Sequence, residues 1–135
     1  MIALRESLKE SLPAIAASVP RARALVADFA RHRGLSGEHL DRLRLAVSEA
    51  VTNVVVHAYR DRPGSLTIAG AVASGELLVL VSDTGCGYQT PSRKPGLGLG
   101  LMLMADQCDE FVIAERAEGG TEARLMFVLD GAAAS

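Results

Sequence analysis

The apolar positions of this chain change period along its length, and each change marks an element. From Leu4 to Leu12 they alternate weakly (LRESLKESL) as far as Pro13, which reads as an edge strand in preference to a loose helix. Val19, Ala22, Leu25, Val26 and Phe29 then recur at helical spacing, with Pro20 in the first turn and Gly34 past the last, so a helix is expected over Val19 to Arg33. Ser36 is the N-cap candidate of a second, longer helix. Its apolar positions Leu40, Leu43, Val47, Val51, Val54 and Val55 carry it to Tyr59, ahead of the turn-forming run Asp61-Arg62-Pro63-Gly64. Ser65 to Ala73 and Glu76 to Ser82 are β-rich runs separated by Ser74-Gly75, the pattern of an antiparallel hairpin. A stretch rich in glycine and proline, Asp83 to Gly100, leads into a short helix expected over Leu99 to Gln107. A second hairpin joins Glu110–Arg116 to Thr121–Leu129 across Glu118-Gly119-Gly120. This order of elements predicts an α/β (α+β) two-layer sandwich, with helices on one face of a mostly antiparallel mixed sheet. Residues 1–131 are expected to form a single domain and 132–135 a tail.

Composition narrows the function classes without choosing one. A chain of 135 residues suits one compact domain and leaves no room for a second catalytic domain. Nearly half of it is apolar and its formal net charge is −2, so it is neither a nucleic-acid-binding arm nor a disordered tail, and no direct nucleic-acid contact is expected. No apolar run approaches the ~20 residues that span a bilayer, and Met1 to Lys9 lacks the apolar centre of a signal peptide. The expected location is the cytoplasm, away from membranes. Cys86 and Cys108 are too few for a disulfide framework or a zinc site, and a reduced pair is expected.

The second helix carries chemistry inside an apolar run. Val47, Ala50, Val51, Val54, Val55 and Val56 read as buried, yet Glu49, Asn53 and His57 recur among them every four residues. At about 100° per residue those three lie within an arc of roughly 80°, a polar stripe set opposite Leu40, Leu43, Val47, Val51, Val54 and Val55. A solvated helix face is the ordinary explanation of such a stripe. Asn fits that explanation poorly, because in mid-helix its side chain competes with the backbone for hydrogen bonds. Farther on, the apolar run Val79-Leu80-Val81-Ser82 delivers Asp83 into Asp83-Thr84-Gly85-Cys86-Gly87. A carboxylate at a strand end followed by glycines suits a ligand that meets both an acceptor and bare backbone. Gly96, Gly98 and Gly100 alternate directly before a helix, where free amides and a helix N-terminus can face phosphate oxygens. Gly119-Gly120-Thr121 precedes the last strand. Each segment alone is also explained as an ordinary loop or helix entry; their succession is the specific signal.

That succession resembles the GHKL ATPase superfamily and its Bergerat-type ATP-binding fold, over Leu12 to Leu129. It is most similar to the small bacterial anti-sigma-factor serine kinases, whose N box resembles 49-EAVTNVVVHAY-59. The resemblance implies ATP and Mg²⁺ as cofactors, with Asn53 the metal ligand and Glu49 the general base. It implies that Asp83, flanked by Gly85 and Gly87, binds the adenine amino group and that Thr121 supports it. Gly96, Gly98 and Gly100 would be the second glycine box, and His57 would lie near the phosphates. The implied partners are a sigma factor and an anti-sigma-factor antagonist that accepts phosphate on Ser or Thr. A homodimer through sheet-edge or N-terminal surfaces such as Leu4 to Leu12 is expected as well.

Elementary chemistry agrees with these roles. A hard amide oxygen suits Mg²⁺, which keeps waters and takes most other ligands from phosphates. A carboxylate one turn away suits proton removal from an attacking hydroxyl. An acceptor-only group at Asp83 favours adenine over guanine, hence ATP over GTP. The segment between the two glycine boxes, 88-YQTPSRKP-95, is short for a lid, which leaves phosphate cover to Arg93, Lys94 and the glycine amides or leaves Arg93 and Lys94 as a solvated pair. No phospho-accepting His on a dimerising helical hairpin precedes the domain, and His32 does not supply one. Two classes stay open: a serine/threonine protein kinase, which the presence of Glu49 favours, and a non-catalytic module that switches partners with ATP or ADP. A third is a kinase domain split from a histidine kinase or serving a phosphatase partner.

Overall fold

The computed structural model describes residues 5–59, 63–85 and 105–129. Five strands, β1 (Arg5–Pro13), β2 (Ser65–Ala73), β3 (Glu76–Asp83), β4 (Glu110–Glu115) and β5 (Thr121–Val128), form one sheet in the order β1-β2-β3-β5-β4. Every described pairing is antiparallel. Helices α1 (Ser18–Arg31) and α2 (Gly37–Asn53) cover one face, so the two-layer architecture expected from the order of elements is the one observed. Among the described residues no helix is long and apolar enough to cross a membrane.

Period-two burial builds the sheet side of the core. Leu66 and Ile68 on β2, Leu77, Val79 and Val81 on β3, and Ala123, Leu125 and Phe127 on β5 all turn toward the helices. The opposite face leaves Leu78, Val112 and Val128 exposed. Ser74 (φ 54°) and Gly75 (φ 77°) both take the left-handed conformation of a tight two-residue hairpin turn, which fixes Ala73 opposite Glu76. β1 is an edge strand, as its weak alternation suggested.

The helices end for identifiable reasons. After α1, the Leu35 N–H donates to the Ala30 carbonyl (3.1 Å) and the Gly34 N–H to the Arg31 carbonyl (3.3 Å). This is a Schellman closure, and it needs the left-handed backbone that Gly34 supplies (φ 105°). Leu35, just beyond, is fully buried. Ser36 does hold the N-cap position of α2 in an extended conformation, but its hydroxyl makes no capping bond.

Two expectations about the second helix are corrected. The α-helix does not run unbroken to Tyr59: it stops at Asn53 and continues as a π-helical turn over Val54–Ala58. Three consecutive β-branched valines, all stiff at χ1, make this the weakest α-helical stretch of the segment. Nor is the polar stripe opposite the core, because Asn53 is only 6% exposed while Val56 is 57% exposed. Ala46, Ala50 and Asn53 follow one another at i+4 and i+3 along a single stripe, and Asn53 is covered together with the two alanines. The helix expected over Leu99 to Gln107 is described only at residues 105–107, which are helical. Cys108 is a free, half-buried thiol pushed up to about 12 by burial and then by Asp109, whereas Cys86 lies outside the described residues.

Candidate functional site

The inward face of β3 is apolar until its final position. Leu77, Val79, Val81 and Asp83 share that face, so the strand carries a carboxylate to the end of the core, where it is 6% exposed. Burial raises the Asp83 carboxyl above the usual 3.8, while the Gly85 N–H, the Thr121 backbone and the Arg116 charge pull it back. The Gly85 N–H donates to a carboxylate oxygen at 2.9 Å, and the Arg116 guanidinium donates to the Asp83 carbonyl at 3.1 Å. The carboxylate therefore has a fixed direction.

Thr121 is delivered by the same alternation. It heads the inward series Thr121, Ala123, Leu125 and Phe127 on β5, next to β3, and is 3% exposed. Its hydroxyl oxygen is buried without a hydrogen-bond partner, and so is the side-chain nitrogen of Asn53. An unsatisfied buried polar atom costs roughly 1–3 kcal/mol, so these two atoms ask for a partner that the described residues do not provide.

Three chain segments converge around Asp83. A β-carbon at Gly85 would run into the Ala58 carbonyl at the end of the π-helical turn. One at Gly120 (φ 92°) would run into the Asp83 carbonyl. The end of β3, the turn before β5 and the end of the π-helical turn thus pack backbone to backbone, which only glycine permits at those two places. Asn53 opens that turn and His57 lies near its end; Glu49 stands one turn earlier on α2, and Glu49 and His57 are both half-buried. Asp83, Gly85 and Thr121 are thereby brought to one end of the sheet, against the element that carries Asn53 and His57.

Gly87, Gly96, Gly98 and Gly100, with Arg93 and Lys94, lie outside the described residues. Among the described residues no three His, Cys, Asp or Glu side chains are grouped as a metal cage. An amide such as that of Asn53 can serve as the single protein ligand of a Mg²⁺ ion that takes its other ligands from phosphates and water. The Asn53 side-chain nitrogen without a partner is a donor that suits a phosphate oxygen, and the oxygen of the same amide is the atom that would hold the metal, so this residue fits a metal–nucleotide pair. The structure adds Arg116 and Tyr59 to the candidate residues. Nothing local in the sequence signals Arg116, and Tyr59 reads only as a helix end.

Residues 12–127 match the family described as the histidine kinase-like ATPase domain. The chain belongs to this family. Membership makes ATP the nucleotide of the fold. Among curated relatives, an anti-sigma F factor from Clostridium acetobutylicum is 31% identical over 112 residues, covering 75% of this chain and 78% of the relative. A serine-protein kinase RsbW from Listeria monocytogenes is 32% identical over 99 residues, covering 73% of this chain and 63% of the relative. A counterpart of the same name from Bacillus mycoides is 30% identical over 93 residues, with 69% and 58% covered. The chain therefore spans less than two thirds of these two kinases. A crystal structure of the RsbU and RsbW domains of Rv1364c from Mycobacterium tuberculosis superposes with a TM-score of 0.73 at 26% identity, over 91% of this chain and 32% of that one.

Proposed function

We propose that this chain is an anti-sigma factor with ATP-dependent serine/threonine protein kinase activity. It holds a sigma factor inactive and phosphorylates an antagonist protein that would otherwise displace that factor. The observation that carries the reading is the buried Asn53, whose side-chain nitrogen has no hydrogen-bond partner among the described residues, with the half-buried carboxylate of Glu49 one helical turn away. Similarity to proteins named anti-sigma F factor and serine-protein kinase supports it.

The division of labour follows from the chemistry of each group. Asp83, an acceptor directed by Gly85 and Thr121, takes the adenine amino group and leaves guanine facing a like acceptor. Thr121 completes the adenine side with its unpartnered hydroxyl. Asn53 would hold Mg²⁺ through its amide oxygen, and the ion would supply charge neutralisation at the phosphates. Gly87, Gly96, Gly98 and Gly100 would be the phosphate-binding glycines by resemblance to the family, with His57 on the phosphate side. Glu49 removes the proton of the antagonist's hydroxyl as that oxygen bonds to the γ-phosphorus and the bond to ADP breaks. Positioning and electrostatics supply most of the acceleration in such transfers.

The functional unit is residues 1–131, acting in the cytoplasm on protein partners without direct contact to nucleic acid or membrane. It works as a homodimer joined near β1, whose outer edge meets no further strand among the described residues. The decisive experiment is incubation with γ-labelled ATP and each small antagonist protein of the same genome. Label should appear on one antagonist's serine or threonine, and the unphosphorylated form should displace the sigma factor. Nucleotide binding without transfer to any of them would replace the kinase by a binding switch.

A further inference from the structure

The ladder between β2 and β3 ends in an unusual way. Its last registered pair is Leu66 with Asp83, so Ser65 and Thr84 face each other at the next position. There the Tyr59 hydroxyl stands between them. It accepts from the Thr84 N–H at 2.9 Å, donates to the Ser65 carbonyl at 2.7 Å, and lies 3.1 Å from the Thr84 hydroxyl. A phenol has one proton to donate, and the Ser65 carbonyl, an acceptor only, takes it. Thr84 therefore directs both its N–H and its hydroxyl proton at the same oxygen. Beneath the ring is Gly64, where a β-carbon would run into the Tyr59 side chain, and the Gly64 carbonyl accepts from the Ala14 N–H (2.8 Å).

The placement matters because of what lies on either side. Tyr59 is the residue directly after the π-helical turn that Asn53 opens. Thr84 is the residue between Asp83 and Gly85, and the Gly85 N–H is what directs the Asp83 carboxylate. We infer that Tyr59 is a positioning residue: its hydroxyl sets the distance between the helical element bearing Asn53 and the strand end bearing Asp83, and so registers the metal side of the nucleotide against its adenine side. The inference rests on the nucleotide reading of the site and names a determinant of its base selectivity.

A hydroxyl in this position is poorly suited to a purely structural role. Its three bonds lie where solvent reaches, so water replaces them at little cost to the fold when the oxygen is removed. Water does not hold Thr84 at a set distance from the helix end. Loss of the oxygen consequently loosens the direction of the Asp83 carboxylate and leaves the core intact. Adenine, which needs that direction, suffers; the phosphates, held elsewhere, do not.

The test is Tyr59→Phe, with ATP and GTP affinities measured by calorimetry with Mg²⁺ and the melting temperature measured without ligand. ATP affinity should fall about threefold to tenfold, the worth of one or two hydrogen bonds. GTP affinity should stay at the parent's value, so the ATP-to-GTP ratio narrows by the same factor while the unliganded melting temperature stays near the parent's. Thr84→Val, which removes one of the three bonds and keeps the shape, should narrow the ratio in the same direction by less. Equal losses for both nucleotides, or a ratio unchanged in both variants, would overturn the positioning role. Asp83→Asn is the control for the site itself. If the parent shows no preference for ATP, or Asp83→Asn keeps it, the nucleotide reading falls and this inference with it; if Asp83→Asn loses the preference and Tyr59→Phe keeps it, the inference alone falls.

Discussion

Helices α1 and α2 lie side by side over the same sheet, and their buried polar groups are treated in opposite ways. On α1 the buried Ser18 has its hydroxyl satisfied, donating to the Pro13 carbonyl at 2.6 Å. Asp28 and Arg31 of α1 are exposed and paired at 2.7 Å, and the half-buried Arg23 donates to the Ser48 hydroxyl at 3.1 Å. These groups of α1 are accounted for by packing and solvation. On α2, Asn53 is equally buried, yet its side-chain nitrogen has no partner, and the α-helical pattern breaks directly after it. π-helical turns are rare and interrupt α-helices frequently at functional positions. One helix is thus scaffold throughout, whereas the other gives up stability at the point where a ligand is wanted.

The largest expected effect sharpens that contrast. Asn53→Ala should abolish phosphoryl transfer and remove most of the thermal stabilisation that Mg-ATP gives, while the unliganded protein melts no lower than the parent. An alanine there discards an unpartnered polar atom, so the apo state loses no hydrogen bond from that nitrogen. A melting temperature well below the parent's, with ATP binding retained, would make Asn53 scaffold like its neighbours on α1.

Glu49→Gln should act on chemistry and spare binding. Glutamine keeps the size and removes the basicity, so transfer should fall by about 10²- to 10⁴-fold at saturating ATP, with nucleotide affinity within a few fold. Parental transfer by this variant would remove the base assignment. The matching change on α1 is Phe29→Ala, at a residue 7% exposed against the sheet. It should cost about 3–5 kcal/mol in chemical denaturation and leave the ATP-to-GTP ratio of the folded fraction unaltered. A changed ratio would show that the two helices are not divided in this way.

The smallest expected effect concerns Asp83. Its folded-state carboxyl sits above the usual 3.8, chiefly through burial, so the charged form is disfavoured by folding. A raised acid pKa means that the associated stability is present below the unfolded value and lost as the pH rises through the folded one. The parent should accordingly gain stability relative to Asp83→Asn as the pH falls through that folded value toward 3.8. Denaturant midpoints of both proteins across this window measure it. A constant difference between them would show that Asp83 is not held against desolvation.

Much of this molecule follows from local periodicity. Alternation along Glu76–Asp83 and Thr121–Val128 specifies two strands and also the faces on which Asp83 and Thr121 must arrive, because side chains on a strand point to opposite sides in turn. Ser74-Gly75 specifies a hairpin and Gly34 a helix end, because few other residues take those backbone angles. Tertiary contact decided the rest. Four-residue spacing continues unbroken through Val54–Ala58, so no period reveals the π-helical turn there. Whether Asn53 faces solvent or is covered depends on what packs around α2. Likewise Tyr59 meets Thr84, and Arg116 meets Asp83, across 25 and 33 positions of chain, and a local pattern carries no information about groups so far apart until the fold brings them to one place.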